Sequence, residues 1–417
     1  MKKRDLYLNQ LANFKDKPLI KVVTGIRRCG KSTLLALFEE YLLGDGVKAD
    51  QIIRINFEAI EFDEITTYKA LYTYIKSKMT GSKEKYYLLL DEVQQVMSWE
   101  KTVNSFLVDS NVDIYITGSN AYLLSSELST LLSGRYVEIK MQPLSFKEYL
   151  DFNDFDKSDN INALFGDYLK YGGLPTVVEL KDHPDTIAPF LTGIYNTVIL
   201  KDVVQRNNVR DTALLESVLK FIAANIGNTV STKKISDYLT SSGRKTTSDT
   251  IDNYLKMLEN AFIIYRANRF DLKGKLFLKS LEKYYIVDTG IRNQLTGLRN
   301  TDYGYILENV VYFELLRRGF DVSIGKVGTL EVDFIATKSD KKIYYQVSAS
   351  ILDEETRTRE LRPLQAITDH YEKVILTMDQ TIYNDFEGIK NINIIDFLLS
   401  NEATDGGNYT RYESTKS

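Results

Sequence analysis

Two short stretches carry residue types whose spacing suits one chemistry: GIRRCGKST at residues 25–33 and DE at residues 91–92. In Gly25-x-x-x-x-Gly30-Lys31-Ser32 the glycines let successive backbone N–H groups turn inward around a phosphate, and a helix starting there adds the positive end of its dipole. Lys31 reaches the outer phosphate oxygens, and the Ser32 hydroxyl suits Mg²⁺. Gly25, Arg28, Cys29, Gly30, Lys31, Ser32 and Thr33 are therefore the candidate contacts of a nucleoside triphosphate, with ATP and Mg²⁺ as the expected cofactors. Asp91 would hold the metal through water, and Glu92 would polarise an attacking water, so the acid pair fits hydrolysis as well as binding. Cys29 lies beside a helix N-terminus and a lysine, which predicts a lowered thiol pKa and protection by nucleotide; the plainer expectation is a small residue tolerated in the loop.

The elements that must position these groups are legible as apolar patterns. A β-rich run at 19–23 precedes the loop, and Leu34, Leu35, Phe38, Tyr41 and Leu42 follow it at helical spacing. The unbroken apolar run YYLLL at 86–90 reads as a strand buried on both faces of a parallel sheet, delivering Asp91 and Glu92 at its carboxyl end. Residues 51–57 and 112–117 read as two more strands, and 136–139 as a fifth. Alternation of strands and helices predicts a doubly wound α/β domain with the nucleotide at the carboxyl ends of the strands. Ser119 and Asn120, just beyond the fourth strand, are candidates to contact the γ-phosphate or the water. Arg135, immediately before the fifth strand, is a candidate for stabilising transition-state charge in its own site or a neighbour's, and a homo-oligomer follows only in the second case. In YGGLP at 171–175, Pro175 either lies against the adenine ring or is part of a plain turn.

The stretches TGIRRCGKSTLL, LLLDEVQ, TGSNAYLL, SGRYVEI, QPLSFKEYL and GGLP together resemble the AAA-type P-loop ATP-binding proteins of bacteria and archaea that carry a C-terminal domain of unknown function. The resemblance covers nearly the whole chain. It assigns Lys31 to a Walker A loop, Asp91 and Glu92 to a Walker B strand, and Ser119 and Asn120 to the sensor 1 position. It also implies a lid after the ATPase core, then a DNA-binding-like module, then a degenerate nuclease-like domain.

Residue patterns farther along agree with that order. Apolar Leu214, Leu215, Val218, Leu219, Ile222 and Ala223 mark one helix face, and a second helix starts with a hydroxyl cap at Ser231. A third opens at Thr246 or Thr247, with Ile251, Tyr254, Leu255, Leu258 and Phe262 inward. A strand at 262–270 with a turn at Lys273-Gly274-Lys275 completes a winged helix-turn-helix. Residues 231–280 carry ten Lys/Arg against five Asp/Glu, and Arg244, Lys245, Lys273 and Lys275 are the candidate phosphate contacts of double-stranded DNA. The same module also serves elsewhere as packing, so DNA binding and packing are the two readings of this segment.

Beyond residue 281 the order helix (305–318, with Glu308), three strands (321–324, 331–336, 342–348), helix (362–368, Pro363 in its first turn) and strand (373–377) resembles a restriction-endonuclease-like core. That fold uses a helix glutamate, a strand aspartate and an acid-x-Lys to hold Mg²⁺. Glu308 and Asp333 match, but the last motif reads Gln346-Val347-Ser348, so the acid is an amide and the lysine a hydroxyl. The nuclease site is expected to be vestigial and inactive unless Lys326 or Lys342 substitutes.

The expected fold class is thus α/β: a P-loop NTPase parallel sheet (1–141), a helical lid (142–208), a winged helix (209–280), a nuclease-like α/β domain (281–400) and a loose tail (401–417). A chain of 417 residues, 43% hydrophobic, supports several cores, and its net charge of −4 argues against a wholly basic nucleic-acid-coating protein. One cysteine excludes an internal disulfide, and with two histidines a structural zinc site is not expected. No apolar run approaches the ~20 residues of a membrane span, and the N-terminal stretch lacks a signal-peptide core, so the expectation is a cytoplasmic protein without membrane partners. Three functions fit: an ATPase acting as a switch or remodeller on DNA or a protein, an ATP-bound DNA-binding regulator with little hydrolysis, or an ATP-dependent nuclease.

Overall fold

The apolar run at 19–23 folds as β1 (Ile20–Thr24), every residue of which is buried. In the computed structural model, residues 2–81, 84–109, 111–118, 132, 134–156, 159–205, 207–380 and 385–400 are described. They divide into two units, residues 1–143 with 260–262, and residues 144–259 with 263–417.

In the first unit α1 (Asp5–Asn13) precedes β1, and α2 (Lys31–Gly44) follows the loop. Then come β2 (Ile52–Asn56), α3 (Tyr68–Lys78), β3 (Tyr86–Asp91), α4 (Trp99–Asp109), β4 (Val112–Gly118) and β5 (Tyr136–Lys140). The strands form one parallel sheet in the order β2-β3-β4-β1-β5. Parallel strands need crossovers over a face, so β3 is apolar along its length and buried throughout. One core gathers Ile55, Leu88, Leu90 and Ile116 from the sheet with Leu71 and Ile75 of α3 and Val103 and Phe106 of α4. Each such side chain contributes about 1.5–3 kcal/mol on burial. Charge also crosses the interior: Lys21 of β1 is ion-paired with Asp113 of β4, whose other oxygen accepts the Tyr115 hydroxyl at 2.8 Å. Because all strands run the same way, the loops after β1, β3 and β4 emerge at one edge.

The second unit begins with α5 (Phe146–Phe152), α6 (Ile161–Tyr171), α7 (Pro175–Glu179) and α8 (Ile187–Thr197). A capping box starts α5: Glu148 N–H donates to Ser145 Oγ at 3.1 Å and Ser145 N–H to Glu148 Oε2 at 2.9 Å. Next are α9 (Thr212–Ala224), β6 (Thr229–Val230), α10 (Thr232–Ser241), α11 (Ser248–Asn260), β7 (Ile264–Asp271) and β8 (Leu276–Ile286). Ser231 caps α10 as anticipated, its Oγ accepting from Lys234 N–H at 3.2 Å. Thr247 caps α11 in the same way, accepting from Thr250 N–H at 3.2 Å, so that helix starts at Ser248. The chain ends in α12 (Thr289–Thr296), α13 (Tyr303–Arg317), β9 (Asp321–Val327), β10 (Leu330–Lys338), β11 (Lys341–Val347), α14 (Glu354–Gln365), β12 (Glu372–Thr377), β13 (Asp385–Phe386), β14 (Ile389–Asn393) and α15 (Ile394–Leu399).

Two differences from the sequence expectations have physical causes. A boundary at 280/281 falls inside β8, and β7 pairs in parallel with β9, so residues 209–280 and 281–400 share a nine-stranded sheet, β13-β14-β12-β11-β10-β9-β7-β8-β6. The helix expected at 362–368 begins instead at Glu354, capped by Asp353, whose carboxylate accepts Thr356 N–H at 2.8 Å. Pro363 lies inside that helix near its end rather than in the first turn. The charged sequence EETRTRE hides the start because it lacks an apolar stripe. Among the described residues no helix is long and apolar enough to cross a membrane.

Candidate nucleotide site

The loop between β1 and α2 is built from backbone that only particular residues tolerate. Gly25 has φ +146°, and a Cβ there would sit 2.1 Å from the Met141 carbonyl oxygen. Gly30 has φ +102° and precedes α2 with no side-chain cap, leaving the first-turn N–H groups of Lys31, Ser32 and Thr33 to point out of the helix end. Arg28 takes φ +66° and is exposed, as are Ser32 and Thr33. Arg4, only 4% exposed, fastens the loop from behind: Nη1 donates to Cys29 O at 3.0 Å and to Gln142 O at 2.8 Å.

Lys31 is buried, its Nζ donating to Gly25 O at 3.0 Å and Ile26 O at 3.1 Å and lying 3.9 Å from Glu92 Oε1. The parallel sheet thus brings the loop lysine and the second acid of β3 together. Thr117 at the end of β4 joins the acids: its hydroxyl donates to Asp91 Oδ1 and accepts Glu92 N–H at 3.0 Å. Glu92 adopts a left-handed conformation (φ 55°, ψ 45°), and Gln94 Nε2 donates to its Oε2. Asp91 is 1% exposed, and its Oδ2 has no hydrogen-bond partner among the described residues. A buried carboxylate oxygen left over in this way, at the sheet edge where the Ser32 helix begins, is the oxygen donor a hard cation such as Mg²⁺ takes. The residues present therefore fit the metal, with Asp91 and Ser32 as its holders.

Cys29 does not have the lowered thiol pKa that its neighbours suggested, which leaves the plainer reading of a small residue in the loop. It is wholly buried, and burial pushes its thiol pKa up against the lowering influence of the Lys31 and Arg4 charges. Desolvation outweighs the cations, so the thiol is not activated. Arg135 is exposed at the amino end of β5, where its carbonyl accepts Ile20 N–H at 2.9 Å. That is the start of β1, whereas the loop follows its end, about 16 Å away at ~3.3 Å per residue. Arg135 is therefore not in the site of its own chain. Ser119 and Asn120 lie outside the described residues.

The other candidates lie in the second unit. Pro175 is the first residue of α7, behind a turn fixed by Asp288: Gly173 N–H donates to Asp288 Oδ2 at 2.7 Å and Ile291 N–H to its Oδ1 at 3.0 Å. Burial pushes the Asp288 pKa up to about 6 although backbone N–H groups stabilise the carboxylate. Arg244 and Lys245, in the α10–α11 turn, and Lys273 and Lys275, at the β7–β8 turn, are all exposed. Glu308 of α13 and Asp333 of β10 converge as anticipated, but the cation between them is Lys283 of β8, not Lys326 or Lys342. Burial works against the Lys283 charge, yet Glu308, Asp333 and Glu331 together raise its pKa. Burial and the Glu308 charge push Asp333 up to about 8, Lys283 opposing. Gln346 Oε1 accepts Asp333 N–H at 3.3 Å while its Nε2 donates to Glu360 at 2.9 Å, and Ser348 Oγ donates to Ser350 O at 3.0 Å.

Sequence patterns did not single out Thr117, Gln94, Arg4 or Lys283. Thr117 had a signal, a hydroxyl at the exit of a buried strand. Arg4 and Lys283 had none, since their partners are remote in the chain.

Comparison with known proteins accords with this geometry. An AAA domain family model matches residues 17–150, and a domain of unknown function matches residues 162–302. An uncharacterized protein of Haemophilus influenzae is 44% identical over 95% of this chain and 98% of its own length. An uncharacterized protein of Methanocaldococcus jannaschii is 31% identical over 90% of this chain and 85% of its own. Among solved structures, the Walker-type ATPase of Pyrococcus abyssi aligns with TM-score 0.50 at 18% identity, covering 71% of this chain and 96% of that one, a likeness of fold. With its five-stranded parallel sheet and glycine loop, the chain belongs to the AAA-type P-loop protein family that these bacterial and archaeal relatives represent.

Proposed function

We propose that the protein binds ATP with Mg²⁺ at the β1–α2 loop and hydrolyses it, using the nucleotide state to drive a change in its second unit that acts on DNA or a protein partner. The observation that carries this reading is the Asp91–Thr117–Glu92 arrangement beside Lys31, in which one buried carboxylate oxygen has no partner among the described residues and a second carboxylate lies 3.9 Å from the loop ammonium. Loop N–H groups and Lys31 hold the phosphates, Ser32 and Asp91 hold the metal, which neutralises phosphate charge when bound, and Glu92 orients and deprotonates water. Ser119 and Asn120, which follow β4 in the sequence, are proposed as contacts of the γ-phosphate or the attacking water. Arg135 acts, on this proposal, on a neighbouring copy's site, which makes the working form a homo-oligomer. Pro175 is retained as an adenine contact only as a test, since its turn has a structural explanation.

The experiment is phosphate release paired with binding. Lys31→Ala should lose both, and Glu92→Gln should keep ATP binding while turnover falls by about 10²–10⁴-fold, the range for a general base. Undiminished release from Glu92→Gln would remove it as catalyst.

A second reading has its own support. The helices α9, α10 and α11 precede the β7–β8 hairpin in the chain, the order a winged helix has, and Arg244, Lys245, Lys273 and Lys275 are exposed on the α10–α11 and β7–β8 turns. An ATP-bound regulator would bind duplex DNA with a steep salt dependence and show negligible turnover with or without it. Nuclease action is not proposed, because Gln346 and Ser348 are committed to internal hydrogen bonds. Plasmid cleavage lost in Asp333→Ala would reverse that.

A further inference from the structure

Lys283 is 2% exposed, and its ammonium lies at the meeting point of three carboxylates. Nζ is 2.9 Å from Glu308 Oε1, 2.9 Å from Glu331 Oε1 and 3.5 Å from Asp333 Oδ1. Glu331 and Asp333 are two apart on β10 and so share a face of the sheet; Lys283 and Tyr285 share a face of β8 in the same way. The Tyr285 hydroxyl donates to Glu308 Oε1 at 2.6 Å, and Val347 N–H donates to Asp333 Oδ2 at 2.9 Å. Three oxygen donors from a helix and a strand, converging on one buried point, form the hard-ligand set that divalent cations take. Here the point is held by the end of a covalently tethered side chain. Among the described residues no group of three His, Cys, Asp or Glu side chains is placed to hold a metal ion as it stands.

We propose that Lys283 is an internal cation standing where a divalent metal would bind among Glu308, Glu331 and Asp333, so that the native pocket is closed to metal and opens only when the ammonium is removed. Two of the nitrogen–oxygen spacings, 2.9 Å to Glu308 and Glu331, are less than an ångström longer than the about 2.0–2.1 Å that Mg²⁺ requires, and Asp333 at 3.5 Å must draw in by about 1.4 Å, so the conversion calls on side-chain adjustment at all three acids. The direction is set by charge: an ammonium of charge one cannot be displaced by dilution, since its effective concentration beside the acids is fixed by β8, whereas a free metal must compete with it. Removing it leaves the nearly buried Glu308 and Asp333 without their cation, while the part-exposed Glu331 keeps Arg269 at 3.8 Å, and a divalent ion relieves that uncompensated charge.

The test uses the full chain without nucleotide and Mn²⁺ as the probe, read by electron paramagnetic resonance and by thermal melting. Lys283→Met should bind one Mn²⁺ per chain and melt at a temperature that climbs with Mn²⁺ concentration. The native chain and Lys283→Arg should show no Mn²⁺ binding that depends on Asp333 and no Mn²⁺-dependent rise in melting that Asp333→Asn removes, and Lys283→Met with Asp333→Asn should lose the binding that Lys283→Met gains. If Lys283→Met does not fold in metal-free buffer, refolding with Mn²⁺ should restore it. Failure to recover with Mn²⁺, a folded Lys283→Met that binds none, or a native chain whose Mn²⁺ is lost on Asp333→Asn would each overturn the proposal. The loop site is untouched by these variants, so the result stands apart from that of the Lys31 and Glu92 variants.

Discussion

Gly172→Ala should destabilise the second unit by about 3–6 kcal/mol. Gly172 ends α6 at φ 86°, ψ −175°, a region occupied almost only by glycine, and forcing a β-carbon into it costs about 1–3 kcal/mol. That β-carbon would also sit 2.2 Å from Asp288 Oδ1 and 2.5 Å from Oδ2, so the carboxylate must move. Moving it breaks the bond from Gly173 N–H, 2.7 Å long and made to a charged acceptor, a loss of about 1.5–3 kcal/mol. Gly243→Ala is the matched control, with φ +87° but nothing within 4 Å of the added carbon, and it should cost only about 1–2 kcal/mol of left-handed strain. Native-state hydrogen exchange read peptide by peptide is the assay, because it localises the loss to residues 165–180 and 286–296. The fluorescence of Trp99, the single tryptophan and a core residue of the first unit, should report little change there. Equal costs for the two alanines would mean that the Asp288 contact does not explain why glycine stands at 172.

The Asp288 carboxyl, raised from 3.8 to about 6, binds its proton more tightly in the native state than when unfolded. Stability from this group therefore increases as pH falls from about 6 to about 4, by about 3 kcal/mol at ~1.4 kcal/mol per tenfold change in proton affinity, and Asp288→Asn should flatten that part of the urea-midpoint profile. Identical profiles would refute the assignment. Thr117→Val should leave ATP binding nearly intact and slow phosphate release by about 10–100-fold, since one hydroxyl orients both acids; turnover within twofold of native would count against it. Cys29 should resist iodoacetamide in the native chain with and without ATP and react once the chain is denatured, whereas rapid native labelling would show a thiolate in the loop.

The first unit was readable because its chemistry sits on local signals. A glycine loop between an apolar strand and a helix, and an acid pair ending a wholly buried strand, are contiguous in the chain. The groups that orient them are not: Arg4 reaches the loop carbonyl from 25 residues away, and Thr117 meets Asp91 from 26. Arg135 shows a rule that could have been applied earlier. In a parallel sheet a residue that precedes a strand stands at the edge opposite the loops that follow strands, whatever its charge. In the second unit, periodicity found α9 and α11 but misplaced the start of α14, which depends on a cap rather than an apolar stripe. Lys283 was invisible for a different reason, as its three acid partners lie 25 to 50 residues onward, on α13 and β10, and meet it only through tertiary packing.

β8 enters both the hairpin and the sheet core of the second unit, pairing with β7 along most of its length and carrying Lys283 and Tyr285 into the acid pocket. A truncation at residue 280 would sever a strand mid-course and strip the acids of their counter-ion, so neither half is a portable module. The turn at Lys273 and Lys275 and the acid pocket lie along the same two strands, but the β7–β8 register shifts between Leu278 and Lys283. Motion of the hairpin tip is then absorbed at that irregularity before it reaches Lys283 and Glu308.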